Sequence, residues 1–244
     1  MKNIIEVNNL VSKYNDKVIL DNVSLAIQEG EIFVILGGSG CGKTTLLKNL
    51  IGLIKPAAGD IKIFGKSIIG LEADAFDEVL KRVGMLFQQG ALINSQSIWQ
   101  NVSIPLEQHT DLPLNIIKEL VKQKLSLVNM SHAYNLLPSE LSGGMKKRAA
   151  LARSIALEPE ILFFDEPAAG LDPITLRSLD ELILNLKANL GITMVIVTHE
   201  LESIKRIADR IAYLKDGKCI FCGGLFEAEA QNNPVINEFF GWNN

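Results

Sequence analysis

Residues 32–50 read IFVILGGSGCGKTTLLKNL, and this stretch decides the class of fold. It begins with five apolar residues that do not alternate with polar ones, which is typical of a strand buried on both faces of a sheet. A glycine-rich run follows, and the apolar residues after it have helical spacing. Residues 37–44, GGSGCGKT, fit the pattern G-x-x-x-x-G-K-[ST] between a predicted strand and a predicted helix. This context indicates a phosphate-binding loop.

The glycine-rich loop predicts a nucleotide site. Glycines let the backbone curl until several N–H groups point at one set of phosphate oxygens. In this pattern Lys43 reaches the β- and γ-phosphates, and the Thr44 hydroxyl ligates Mg²⁺. A tight turn between a strand and a helix would not require Lys43 and Thr44. The predicted nucleotide-binding residues of this loop are Gly37, Gly38, Ser39, Gly40, Cys41, Gly42, Lys43, Thr44 and Thr45.

A second motif, ILFFDEP at residues 161–167, predicts the catalytic half of the site. Four apolar residues indicate a buried strand, and Asp165 follows at its C-terminal end, where open α/β sheets place ligands. We expect Asp165 to hold Mg²⁺, directly or through water. Glu166 is placed to orient and polarise an attacking water as general base. The alternative for this pair is a helix-capping aspartate beside a surface glutamate.

The order of the predicted elements indicates a mainly parallel α/β sheet. Strand-like and helix-like segments alternate along much of the chain, which is the pattern of that fold class. Residues 94–157 are mainly helical in pattern and interrupt the alternation. We therefore predict one domain over residues 1–244, with a nucleotide-binding core and a β-rich part in 1–93 and 158–244. Residues 94–157 are predicted to form a helical insertion.

Bulk composition favours a soluble globular protein. Of 244 residues, 48% are hydrophobic and 21% are charged, and the net charge of −4 argues against a nucleic-acid partner. Three cysteines do not make a disulfide framework, so a reducing compartment is expected. No signal-peptide core and no uncharged apolar run near 18 residues are present in the sequence. Any role at a membrane is therefore expected to come through partners.

Two smaller features leave questions for the structure. Cys219 and Cys222 form C-I-F-C, but on a regular strand residues three apart point to opposite faces, and no second pair completes a four-ligand zinc site. We therefore predict that these cysteines serve packing. The segment NNPVINEFFGW at residues 232–242 is rich in apolar side chains. It either packs on its own domain or docks onto a partner or a sister subunit.

The glycine-rich loop, LSGG at residues 141–144 and ILFFDEP, in this order and spacing, resemble the ATP-binding-cassette (ABC) ATPases. The resemblance covers nearly the whole chain and is almost unbroken over residues 139–175. It implies an α/β fold with a RecA-like P-loop NTPase core and a mainly parallel sheet. An N-terminal antiparallel β subdomain and an inserted α-helical subdomain complete the implied architecture.

The resemblance also implies roles for four residues outside the two motifs. Gln88 would be the Q-loop glutamine that holds the metal and joins the nucleotide site to the helical insertion. Asp172 would be the D-loop aspartate, His199 would act near the γ-phosphate, and Tyr14 would stack on adenine. Taken singly, these residues also fit simpler roles, namely a polar loop residue, a helix cap, a strand end and a side chain that covers the core.

In this family the LSGG of one subunit caps the γ-phosphate that the other subunit's P-loop holds. The resemblance therefore implies that Ser142, Gly143 and Gly144 present a hydroxyl, backbone N–H groups and a positive helix end to a phosphate. Two half-sites per chain would be combined in a homodimer with two-fold symmetry. The sequence alone leaves open whether both loops face one nucleotide within a single chain.

Met145 stands where the best-known form of the signature has glutamine, and it is followed by Lys-Lys-Arg. Together with DEPAAGLDPIT, this variant resembles the ATPases of Mla/Mce-type lipid transporters of Gram-negative bacteria. The resemblance implies hydrolysis of ATP·Mg²⁺ at the cytoplasmic face of the inner membrane, which would power lipid transport through a membrane permease. A STAS-domain protein and a periplasmic lipid-binding protein are further expected partners. The alternatives are an ABC transporter for another substrate and a soluble ABC ATPase such as a cluster-assembly protein.

Overall fold

The computed structural model describes residues 2–242 and contains two compact units. The first unit combines the residues up to Val79 with those from Thr193 onward, and the second comprises Leu80–Ile192. The boundaries predicted for the helical insertion, 94–157, stay a prediction. Each unit is described separately below.

The strands of both units are named in chain order. Within residues 2–242 they are β1 (Asn3–Tyr14), β2 (Lys17–Gln28), β3 (Ile32–Gly37), β4 (Ala58–Ile63), β5 (Lys66–Ser67), β6 (Val83–Leu86), β7 (Ile161–Asp165), β8 (Thr193–Val197), β9 (Arg210–Lys215) and β10 (Lys218–Gly223).

The α-helices follow the same convention. Within the described residues they are α1 (Lys43–Leu50), α2 (Ala73–Leu80), α3 (Ile98–His109), α4 (Leu114–Leu127), α5 (Gly143–Ser154), α6 (Pro173–Leu190), α7 (Leu201–Ile207), α8 (Leu225–Ala230) and α9 (Pro234–Phe240). Among residues 2–242, no helix is both long enough and apolar enough to cross a membrane.

The sheets confirm the predicted fold class. In the first unit β2, β1, β4 and β5 form an antiparallel sheet, while β3 pairs in parallel with both β8 and β9. In the second unit β6 pairs in parallel with β7. Every residue of β3 and β8 is buried, which explains why apolar residues dominate both strands. The first unit therefore combines a parallel sheet with an antiparallel N-terminal one.

The second unit holds the helical part of the chain. Helix α3 contacts both α4 and α5, and Val102, Val121 and Leu151 on these helices are fully buried. Arg148 of α5 links this helix to its neighbours, because its guanidinium donates to the carbonyl of Val128 (3.0 Å) and to the Ser178 hydroxyl (2.8 Å). Charged hydrogen bonds of this kind fix the position of α5 in the unit.

The hairpin of β9 and β10 places the two neighbouring cysteines differently from our prediction. Cys219 pairs with Leu214 and Cys222 with Ala212, because the register shifts between residues 219 and 221. Such a bulge inserts one extra residue, so both cysteines lie on the same face of the hairpin. The predicted opposite orientation is therefore wrong.

The pKa values of these two thiols are raised. Burial raises the pKa of Cys219 to about 11, and burial is also the main reason why the pKa of Cys222 is raised. Among residues 2–242, no group of three or more His, Cys, Asp or Glu side chains is arranged to hold a metal ion.

The apolar C-terminal segment packs within its own unit. Ile236 and Phe240 of α9 are buried, and the ring of Phe239 meets Tyr213 of β9 edge-on at 5.3 Å between centroids. Trp242 stacks on Phe240 at 4.3 Å. Of the two roles left open by the sequence, the structure therefore shows packing on the chain itself.

This packing gives a stability prediction. Ile236→Ala should lower the free energy of unfolding by about 2–5 kcal/mol, because it removes a fully buried side chain and leaves a cavity. The matched control is Phe226→Ala in α8, since Phe226 is 82% exposed and should change stability by no more than about 0.5 kcal/mol. Urea denaturation measures both. Equal stability of the two variants would show that α9 is not anchored as described.

Candidate functional site

Backbone geometry in the first unit shapes the phosphate loop between β3 and α1. Gly37 and Gly42 have positive φ angles of 146° and 106°. A Cβ atom at Gly37 would lie 2.1 Å from the Leu214 carbonyl oxygen, and one at Gly42 would lie 2.6 Å from a methyl group of Leu20. Only glycine fits both positions, so the loop curls as the sequence pattern predicts.

The curled loop leaves its backbone donors available. Within residues 2–242, Cys41 is the one residue of 38–44 whose N–H donates to another group in the loop, the Gly38 carbonyl at 3.4 Å. Gly38, Ser39 and Gly40 are exposed. Converging N–H groups at the start of a helix form a site for an anion such as a phosphate.

Lys43 places a cation over this loop. Its ammonium donates to the carbonyls of Gly37 (2.8 Å) and Gly38 (3.0 Å) and lies 4.0 Å from the Cys41 sulfur. The side chain therefore curls back over the loop instead of extending into solvent. Thr44, the next residue, is exposed at the start of α1. Backbone donors, an ammonium and a hydroxyl at one helix start fit a nucleotide triphosphate and its Mg²⁺ ion.

Tyr14 and His199 are the two other predicted residues of the first unit. Tyr14 ends β1 and is 73% exposed, so the alternative that it covers the core is wrong. His199 follows β8, its side chain is 59% exposed, and its Nε2 lies 3.8 Å from a carboxylate oxygen of Glu200. Both side chains are accessible to a ligand.

The second unit carries the predicted catalytic carboxylates at the end of β7. Residues Ile161–Phe164 are buried, while Asp165 and Glu166 are partly buried at the strand's C-terminal end. Glu166 has a φ of 46°, which is unusual for a residue with a side chain. Ala169 donates its N–H to the Glu166 carbonyl (3.1 Å), so the chain turns sharply here.

A lysine from α5 holds this turn. Lys147 is 7% exposed, and its ammonium donates to the carbonyls of Pro167 (2.5 Å) and Glu166 (3.4 Å). Burial lowers the pKa of Lys147, and the charge of the Glu166 carboxylate partly offsets this effect.

Asp172 caps helix α6. Its carboxylate accepts hydrogen bonds from the N–H groups of Ile174 and Thr175 (3.0 Å each) and from the Thr175 hydroxyl (2.5 Å). The Thr175 hydroxyl and then its backbone N–H are the main groups that hold the pKa of Asp172 below its ordinary value. The helix-cap alternative for Asp172 therefore describes its local contacts, and the carboxylate is also exposed to solvent.

The LSGG motif forms the exposed start of α5. The Ser142 hydroxyl accepts a hydrogen bond from the N–H of Met145 (3.3 Å) and thereby caps the helix. Ser142 and Gly143 are exposed. A Cβ atom at Gly144 would lie 2.6 Å from the Thr175 methyl group, so glycine lets α5 approach α6 closely. The motif presents a positive helix end to solvent.

Gln88 lies in the turn after β6 and is exposed, as is Gln89. The turn continues through Gly90 and Ala91, both with positive φ. Arg153 of α5 donates to the carbonyls of these two residues at 2.7 and 2.8 Å. Burial lowers the pKa of Arg153, but a guanidinium stays charged in proteins. Helix α5 therefore holds this turn as well as the Glu166 turn.

Each unit thus brings part of the predicted set together. The phosphate loop, Tyr14 and His199 belong to the first unit, while Gln88, the carboxylates, Asp172 and the LSGG motif belong to the second. Sequence reasoning missed Lys147 and Arg153. A signal for Lys147 was available, because Lys-Lys-Arg near the N-terminus of a helix opposes the helix dipole and needs another explanation.

Comparisons with known proteins agree with this set of motifs. Residues 20–169 match the ABC transporter family. The chain is 46% identical over 219 residues to the intermembrane phospholipid transport system ATP-binding protein MlaF of Haemophilus influenzae, covering 90% of this chain and 83% of that protein.

Solved structures of ABC proteins have a similar fold. The chain resembles cbiO1 of Clostridium perfringens, part of the ABC transporter complex cbiONQ, with a TM-score of 0.87, 32% identity and coverage of 95% of this chain and 92% of the other. It also resembles the dimeric post-hydrolysis state of the ATP-binding cassette MJ0796 bound to ADP and Pi, with a TM-score of 0.82, 30% identity and coverage of 91% and 98%. The chain therefore belongs to the ABC transporter family and is an ABC ATPase.

Proposed function

We propose that this chain is the ATP-hydrolysing subunit of a bacterial transporter that moves phospholipids between envelope membranes. The observation that carries the proposal is the 46% identity to an MlaF protein over 90% of the chain. The LSGGMKKR and DEPAAGLDPIT segments support the same assignment. The substrate is inferred from the relatives of this chain, because an ATPase subunit acts on the permease and not on the lipid.

In the proposed mechanism, the phosphate loop binds ATP through its backbone donors. Lys43 bonds the β- and γ-phosphates, and its ammonium is already directed at the loop. Tyr14 stacks on adenine with its exposed ring. Thr44, Gln88 and Asp165 would hold Mg²⁺, which would supply positive charge to the phosphate oxygens. Hydroxyl, amide and carboxylate oxygens are the ligand types that this ion takes.

Chemistry in this proposal is assigned to Glu166. Its carboxylate accepts a proton from the attacking water as that oxygen approaches the γ-phosphorus. Lys43 and His199 stabilise the negative charge that develops on the transferred phosphoryl group. Positioning and electrostatics supply most of the rate in this reaction class. No residue has to form a covalent intermediate.

Two copies of the chain are proposed to share their sites. The exposed Ser142 and Gly143 of one copy, with the partly buried Gly144, would face the nucleotide of the other. The dimer would sit at the cytoplasmic face of the inner membrane through an integral-membrane permease. A STAS-domain protein and a periplasmic lipid-binding protein are proposed as further components. The related MJ0796 cassette is dimeric, which supports the homodimer.

Glu166→Gln tests the catalytic assignment. The variant should lose at least about 100-fold in kcat, because the amide cannot accept the proton, while ATP binding remains. Bound ATP should trap a dimer, which size-exclusion chromatography with nucleotide detects. Glu229→Gln in exposed α8 is the charge-matched control and should hydrolyse ATP normally. Unimpaired hydrolysis by Glu166→Gln would remove this assignment.

Mixed dimers test the shared site. Lys43→Ala and Ser142→Ala homodimers should both be inactive, since each lacks one half of both sites. A mixture of the two subunits forms one intact site in each mixed dimer, so measurable ATPase activity should return. Activity is followed by phosphate release after co-refolding or co-expression. If both homodimers are inactive and their mixture is inactive as well, the proposal that two subunits share each ATP site is contradicted.

Affinity purification of the tagged chain from its native membranes tests the transport assignment. The proposal expects an integral-membrane permease in the purified complex, together with phospholipid that mass spectrometry identifies. ATP addition to the complex in labelled vesicles should move phospholipid, and the Glu166→Gln complex should not. If the co-purified permease transports another substrate, the chain would be assigned to an ABC transporter for that substrate. A purified chain that holds cluster-assembly proteins and no permease would favour a soluble ABC ATPase.

A further inference from the structure

Lys147 is a buried cation that touches the backbone of the proposed catalytic turn. We infer that Lys147 is a positioning residue, which holds the Glu166–Pro167 backbone so that the Glu166 carboxylate is directed correctly. The inference rests on the proposed role of Glu166. It adds a residue from the LSGG helix to the machinery that each subunit uses for its own hydrolysis.

The contacts of Lys147 are directed specifically at this turn. Its ammonium donates to two successive carbonyls, at 2.5 Å (Pro167) and 3.4 Å (Glu166), from a position that is 93% shielded, since Lys147 is 7% exposed. A buried ammonium is costly unless it is hydrogen-bonded, so these bonds define where the side chain lies. Lys146, the neighbour on the same helix, is partly exposed and so does not face this desolvation cost.

Glu166 needs such support because its backbone is in an uncommon conformation. Its φ of 46° lies in the left-handed region, which is sterically unfavourable for a residue with a side chain. Pro167, which follows, has no N–H with which to stabilise the turn. The Glu166 carbonyl accepts from Ala169 and from Lys147, and the Pro167 carbonyl accepts from Lys147. The Lys147 side chain therefore contacts both peptide groups.

The same helix joins this turn to the LSGG motif. Ser142 caps α5 five residues before Lys147, and Gly144 lies against Thr175, whose hydroxyl bonds Asp172. A shift of the helix start therefore reaches the carbonyls of Glu166 and Pro167 through Lys147. In the shared-site proposal, a phosphate contact made by one subunit's LSGG would therefore affect the position of that subunit's own Glu166.

Lys147→Met tests the inference, because methionine has a similar length and no donor. The kcat for ATP should fall about 10- to 100-fold, since a misplaced catalytic group loses rate steeply, while KM stays within about twofold. Lys146→Met removes the same charge one position away and should retain the wild-type kcat. A kcat for Lys147→Met within about twofold of wild type would overturn the inference. So would a loss confined to KM.

A second variant guards against loss of the fold. Lys147→Gln keeps N–H donors on a shorter side chain that reaches one carbonyl less well, so kcat should fall about 3- to 10-fold with KM unchanged. Melting temperature is measured for both variants. If Lys147→Met does not fold, a wild-type kcat for Lys147→Gln overturns the inference by itself.

Mixed dimers show on which subunit Lys147 acts. A dimer with one Glu166→Gln chain keeps one working site. Two such dimers are compared, one with Lys147→Met in the chain that has intact Glu166 and one with Lys147→Met in the Glu166→Gln chain. The change should slow hydrolysis when it lies in the chain with intact Glu166, and it should have no effect in the Glu166→Gln chain. The reverse result would overturn the inference, since Lys147 would then act through LSGG on the partner's nucleotide. Full ATPase activity of a Glu166→Gln homodimer would instead contradict the proposed function. That result is measured on the homodimer alone and is therefore distinct from the mixed-dimer result.

Discussion

Two basic residues of helix α5 determine how the second unit arranges its candidate functional residues. Lys147 is buried and Arg153 is partly buried, and both hydrogen-bond because a charge removed from water without partners is costly. Their acceptors are the carbonyls of the turns that follow β7 and β6. Because those turns carry Glu166 and Gln88, the position of one helix fixes both. Arg148 in turn fixes that helix against α4 and α6.

The first unit arranges its candidate residues by a different physical route. There the backbone N–H groups are the proposed ligand-binding groups, and glycines at 37 and 42 are required because a Cβ atom would collide with neighbouring atoms. Lys43 bonds carbonyls of its own loop, within six residues along the chain. In the second unit the corresponding supports come from residues about 20 to 60 positions away in sequence.

This difference explains what could be predicted from the sequence. The phosphate loop and the strand before Asp165 are local patterns, and their elements and order agree with the structure. Lys147 and Arg153 bond backbone carbonyls, which carry no sequence signature, so the pattern showed only a basic run. Helices α2, α8 and α9 were also missed, and each has eight residues or fewer. The bulge in β10, which sets the orientation of Cys222, has no clear local sequence signal either.

The two glycine-rich runs look alike in sequence but are physically different. In residues 37–42 three glycines have positive φ and curl the backbone into a cradle. Gly143 and Gly144 have ordinary helical φ, so their run is the plain start of a capped helix. A helix start offers N–H donors without enclosing a ligand. The second run therefore fits one side of a phosphate site, and in the shared-site proposal the other side comes from a second copy of the chain.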